Sequence, residues 1–97
     1  MVYFDLYVRA PEGSRYDDPR NMKRIDEQLI RILSASFLAP DGTPIRESDG
    51  TYVVRIYDGN PFTLELVRWT LEEYYGLRCV RLVEYSGDGK VVRDMKL

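Results

Sequence analysis

The stretch VYFDLYVR, residues 2–9, alternates apolar and polar side chains along its whole length. A β-strand sends successive side chains to opposite faces of its sheet, so a period of two indicates a strand with one buried face. Two later stretches, Thr51–Asp58 and Arg78–Ser86, show the same alternation. The sequence therefore predicts three strands of one sheet, each with an apolar side toward a core.

The other side of this predicted sheet carries tyrosine and arginine. If the three strands lie together, one surface collects Tyr3, Tyr7, Arg9, Arg55, Tyr57, Arg81 and Tyr85. We call these seven residues the Tyr/Arg face; the alternation places Cys79 on the same side. Three interpretations are open. Tyr and Arg are enriched in protein interfaces, they form stabilising cross-strand pairs on ordinary surfaces, and they can stack bases and contact phosphates.

The first helix is predicted over Pro19–Leu38. Asp18 is expected as its N-cap, and proline suits the first helical position because its missing N–H has no partner there. Apolar residues follow at three- and four-residue spacing, namely Met22, Ile25, Leu29, Ile32, Leu33 and Phe37. Asp26 lies within this apolar arc and is interpreted as a partly exposed capping or salt-bridge residue.

The second helix is predicted over Pro61–Tyr75, with Asn60 as N-cap and Gly76 as a left-handed terminator. Spacing at 100° per residue gives it two apolar stripes instead of one. Leu64, Val67, Leu71, Tyr74 and Tyr75 form the stripe expected to face the core. Phe62, Leu66 and Trp69 lie nearly opposite, and we call them the helix stripe. It either packs on the first helix or docks another chain, and an exposed Trp69 would favour docking.

The order of elements is β-α-β-β-α-β plus a C-terminal strand over Lys90–Leu97. Ninety-seven residues suit one domain. We therefore expect a single α+β domain over residues 1–97 of ferredoxin-like type, a split βαβ sandwich with two helices on one face of an antiparallel sheet. Pro44–Glu47 could add a short edge strand. The last strand is expected beside Arg78–Ser86 or exchanged with a partner.

This order resembles that of the RRM module, which binds single-stranded RNA on a sheet. The RRM signature K/R-G-F/Y-G/A-F is missing before the strand at 51–58, where residues 49–53 read DGTYV. We do not assign the chain to that family. Binding of single-stranded RNA or DNA through the Tyr/Arg face is kept as the alternative function.

Catalytic chemistry finds little support in the residues. The chain has no histidine, which removes the commonest general base and most zinc sites. The lone cysteine, Cys79, is expected to pack instead of reacting. In small dimeric nucleases of ferredoxin-like fold, an aspartate near the end of the first strand binds metal; Asp5 lies mid-strand here and is expected to pair with Arg55 or Arg81. No catalytic residue, cofactor or metal site is predicted.

Composition narrows the class of function further. A net charge of −2 argues against a general nucleic-acid coat. Without a run of 18 apolar residues or a signal-like start, and with one cysteine, a cytoplasmic protein that meets no membrane is expected. Few amide side chains favour a thermophilic source. The sequence thus favours a non-enzymatic interaction or assembly module, a homodimer or a small subunit of a larger complex.

Overall fold

The computed structural model describes residues 2–18, 20–21, 24–25, 27–28, 33–37 and 50–97. The strands in these ranges are β1 Tyr3–Arg9, β2 Ala35–Phe37, β3 Thr51–Ile56, β4 Arg78–Tyr85 and β5 Val91–Lys96. They form one sheet in the order β2-β3-β1-β4-β5, in which every neighbouring pair is antiparallel. One helix has both ends in the described ranges: α1, Pro61–Trp69, continued by a π-helical segment, Thr70–Tyr74. A 3-10 turn lies at Arg15–Asp17.

The protein is a small, mostly β domain, and the prediction of a two-helix ferredoxin-like βαβ sandwich is wrong. The described residues give a five-stranded antiparallel sheet and one bounded helix. The helix predicted over Pro19–Leu38 is contradicted at its end, because Ala35–Phe37 form β2 and pair with β3. Ser34, with a φ of 51°, takes the left-handed conformation that a right-handed helix cannot continue through.

The spacing of apolar residues explains this error. Phe37 follows Leu33 by four residues, which satisfies a helical period, although the two belong to different conformations. The described residues between 20 and 33 have helical backbone, and Ile25 among them is fully buried. The predicted edge strand at Pro44–Glu47 and the expected role of Asp26 lie outside the described residues.

The core lies between the sheet and α1, and β1 crosses its centre. Leu6 pairs with Val54 of β3 on one side and with Leu82 of β4 on the other. All the inward residues of β1 are at most 3% exposed. The core residues include Phe4, Leu6, Val8, Tyr52, Val54, Ile56, Leu64, Val67, Leu71, Cys79 and Leu82. Burial of a large apolar side chain contributes about 1.5–3 kcal/mol, so this layer holds α1 onto the sheet.

A β-bulge in β4 reverses the predicted side of Cys79. Tyr7 pairs with Arg81, but the next residue, Val8, pairs with Cys79, which leaves Val80 as the extra residue. An extra residue shifts the alternation of side chains by one. Cys79 therefore points into the core, 4% exposed, and its expected place on the Tyr/Arg face is wrong. Burial raises the pKa of the Cys79 thiol to about 12, and the nearby Glu72 carboxylate adds to this.

The start and end of the second predicted helix are confirmed. The Asn60 side chain accepts a hydrogen bond of 2.9 Å from the Phe62 N–H, and Pro61 takes the first helical position. The last turn widens, and the Tyr75 N–H donates to the Thr70 carbonyl at 3.3 Å. Gly76 follows with a φ of 70°. The strong cap and the glycine thus fix both ends of this segment.

Candidate interaction surfaces

The register of the central strands brings most of the Tyr/Arg face together. Directly opposed residues of neighbouring strands point to the same side of a sheet. Tyr3 lies opposite Tyr85, Tyr7 opposite Arg81, and Asp5 opposite Arg55. Tyr3, Tyr7, Arg55, Arg81 and Tyr85 therefore share the side of the sheet that faces away from α1.

Aromatic and cationic groups contact each other on this side. The Tyr3 and Tyr85 rings stack with centroids 4.8 Å apart and an interplanar angle of 14°. The Arg55 guanidinium carbon lies 4.6 Å from the Tyr3 ring centroid and 5.9 Å from that of Tyr85. Arg81 lies over Tyr7 in the same way, at 4.8 Å. Burial and the nearby Asp5 carboxylate raise the pKa of the Tyr85 phenol, so this tyrosine stays neutral well above physiological pH.

Two aspartates form ion pairs with the guanidinium groups of Arg55 and Arg81 on this face. Arg55, one of the two partners predicted for Asp5, donates to both of its carboxylate oxygens, at 2.8 and 3.0 Å. Arg81 donates to both oxygens of Asp94 on β5, at 2.9 and 2.6 Å. Hydrogen bonding to Asp5 raises the pKa of Arg55, and hydrogen bonding from Arg81 lowers that of Asp94. These arginines therefore carry charge that the chain itself already balances.

The remaining two members lie at strand ends. Arg9, the last residue of β1, is exposed and donates to the Thr51 hydroxyl at 3.4 Å. Tyr57 follows β3 and is 48% exposed. Val53 and Val83 lie on the same side of the sheet and are each 1% exposed, so the larger side chains of this side shield them from solvent. The alternation gave these two valines no role, although the apolar run YVV in β3 signals burial on both sides of the sheet.

The helix stripe is exposed. Phe62, Leu66 and Trp69 are 73%, 40% and 59% exposed, whereas Leu64 and Val67 on the opposite side of α1 are 7% and 0% exposed. Exposed Glu65 and Glu73 flank the stripe. Arg68 of α1 forms an ion pair with Glu72 at 2.8 Å, so these two charges balance each other. The stripe is thus an apolar surface with an acidic border.

The last strand is a second exposed apolar surface, which the sequence reasoning missed. β5 pairs with β4 along one edge, and no strand of the described residues pairs with its other edge. Every residue of β5 is exposed, including Val91 at 57%, Val92 at 59% and Met95 at 37%; Leu97, which follows, is 39% exposed. The signal was present in VVRDMKL, whose apolar residues fall on both sides of a strand.

The described ranges hold no group of three or more His, Cys, Asp or Glu residues that could bind a metal ion. No helix among the described residues is long and apolar enough to cross a membrane. Comparison with protein-family models, with curated proteins and with solved structures finds no match for this chain.

Proposed function

We propose that this chain is a non-enzymatic interaction module that assembles with a second copy of itself. One observation supports it above the others: exposed apolar side chains are concentrated in two elements. Among the large apolar residues exposed in the described ranges, eight of ten lie on α1 with its π-helical extension or in and beside β5: Phe62, Leu66, Trp69, Tyr74, Val91, Val92, Met95 and Leu97. Concentrated apolar surface of this kind is typical of interaction sites.

A second copy is the partner that β5 fits best. An edge strand presents a row of backbone N–H and C=O groups, and the edge strand of another chain can pair with it. Most soluble oligomers are symmetric homo-oligomers in which one surface meets its own equivalent. β5 supplies such a surface, because no strand in the described part of the protein pairs with its outer edge and its side chains are exposed.

Binding of single-stranded RNA or DNA by the Tyr/Arg face is the alternative. The half-exposed rings of Tyr3, Tyr7 and Tyr85 favour it, because bases stack on such rings. The ion pairs weigh against it, because Arg55 and Arg81 would have to release Asp5 and Asp94 before binding phosphates. Self-association requires no such loss and is therefore the better supported function.

Light scattering or sedimentation over a wide range of protein concentration tests the proposal. We expect a mass that rises from one chain toward two as concentration increases. A strict monomer at the highest soluble concentration would contradict self-association. Titration with single-stranded oligonucleotides at low and high salt tests the alternative, for which binding must weaken as salt rises.

A further inference from the structure

The backbone groups of alternate β5 residues face the edge of the sheet with which no strand of the described ranges pairs, and we call it the open edge. The Leu97 N–H donates to the Val80 carbonyl of β4 at 3.1 Å. In an antiparallel pair, residues alternate between those whose N–H and C=O face the neighbour and those whose groups face away. Leu97, Met95 and Arg93 therefore bond toward β4. Asp94 and Lys96 direct their backbone groups away from β4, into the open edge.

The charges of β5 distinguish among the registers that a symmetric antiparallel pair could adopt. A two-fold axis at Arg93, Asp94 or Lys96 would place identical charges opposite each other, which is destabilising. An axis at Val92 falls on a bulge, because Glu84 pairs with Arg93 and Tyr85 with Val91. An axis at Met95 places Asp94 of each copy opposite Lys96 of the other. That register alone opposes unlike charges without using the bulge.

We propose that two copies join through antiparallel β5 strands with Met95 of both copies at the two-fold axis. This inference rests on the proposed self-association and specifies its surface. Asp94 and Lys96, the residues whose backbone groups face the open edge, become the hydrogen-bonded pairs of the new ladder, and each such pair exchanges two backbone hydrogen bonds. Backbone direction restricts the two-fold axis to positions centred on a residue, and side-chain charge selects Met95 among these positions.

The existing pairs on β4 place the contacts of this dimer. Met95 lies opposite Leu82, a core residue, so the two methionines meet on the side of the sheet that carries α1. Asp94 and Lys96 lie opposite Val83 and Arg81, so the charged pairs form on the side of the Tyr/Arg face. The contact is narrow, and narrow interfaces are typical of weak complexes. The dimer therefore dissociates on dilution.

Charge reversal tests the register. Asp94→Lys and Lys96→Asp each place like charges opposite each other in both pairs, and we expect dimerisation of either variant to weaken about tenfold. An equimolar mixture of the two variants restores unlike charges in both pairs of a mixed dimer. The double variant D94K/K96D restores them in its own dimer, and it keeps a carboxylate on β5 beside Arg81 if loss of Asp94 alone impairs folding.

Sedimentation equilibrium of the full chain measures these effects, and circular dichroism verifies the fold. Glu73→Lys, at an exposed position of the π-helical segment, is the matched control. The register is supported if each single variant dimerises more weakly than the native chain and dimerisation recovers in the mixture and in the double variant. Single variants that dimerise like the native chain overturn it, while self-association through another surface stands. A native chain that is monomeric throughout contradicts the proposed function itself.

Discussion

Asp5 is a buried carboxylate on the side of the sheet away from the core, and Arg55 is its partner. Asp5 is 2% exposed, whereas the Arg55 side chain remains 30% exposed. Asp5→Asn keeps the size of the side chain but removes the charge, which leaves a partly buried guanidinium without its counter-ion. We expect the free energy of unfolding to fall by about 2 kcal/mol, measured by urea denaturation.

Asp94→Asn is the matched control on the same face. Its ion pair with Arg81 leaves both side chains 45% exposed, and exposed pairs contribute little because water and salt screen them. The midpoint of denaturation should stay close to that of the native chain at low protein concentration. Equal losses for the two variants would show that burial does not set the contribution of Asp5.

Cys79 should be unreactive while the protein is folded. Burial, together with the Glu72 carboxylate, raises the pKa of its thiol to about 12, and only the thiolate is a good nucleophile. We expect reaction with a disulfide reagent at neutral pH to be slow in the native state and fast in urea. Because the folded pKa lies above the unfolded one, the stability that this group contributes is lost as pH rises from about 9 toward 12. Fast labelling of the native protein would contradict the burial.

Single residues show what a strand pattern can and cannot predict. The alternation predicted that Asp5 would pair with Arg55 or Arg81, because opposite charges one strand apart were expected on one side of the sheet, and the structure shows Arg55. The buried position of Cys79 could not be predicted in this way, because a bulge is visible only when the register with the neighbouring strand is known. No local pattern in the sequence of β4 signals that extra residue.

Among the elements, α1 depends most clearly on one side chain. Asn60 satisfies the Phe62 N–H at the start of the helix, and Pro61 leaves no further donor at the first position. Asn60→Ala should lower the free energy of unfolding by about 1 kcal/mol, and Asn60→Asp should keep most of it because aspartate caps helices equally well. Thermal denaturation followed by circular dichroism measures both. If both variants lost the same free energy of unfolding, the contribution of Asn60 would not come from the hydrogen bond that its side chain accepts.

The other elements explain why the fold class was mispredicted. Strong local signals set the limits of α1 together with its π-helical extension, namely an N-cap, a proline and a glycine. The predicted helix over Pro19–Leu38 had a comparable start but no comparable stop before β2. In the described residues, the left-handed Ser34 and the pairing of β2 with β3 mark that change, and pairing is a long-range property. At Ala35–Phe37, pairing with β3 therefore overrides the helical pattern of the local sequence.

Across the whole molecule, the sheet carries two layers of different chemistry. Apolar side chains fill the side toward α1, and on the other side Val53 and Val83 lie buried among arginines, tyrosines and aspartates that bond to one another. The alternation of side chains predicted the tyrosines and arginines of that second layer but could not show that its charges are internally balanced. Most of the exposed large apolar residues in the described ranges lie on α1 with its π-helical extension or in and beside β5.

Amide hydrogen exchange should follow this arrangement. β1 is the central strand of the five, so its amides should exchange slowest, and those of the outer strand β5 faster. Raising the protein concentration should slow exchange at Asp94 and Lys96, whose N–H groups face the open edge, and change Arg93 and Met95 much less because these already bond to β4. NMR at two concentrations measures it, with Asp94→Lys as the control that should lose the effect. Protection gained at the helix stripe instead would place the contact between copies on α1.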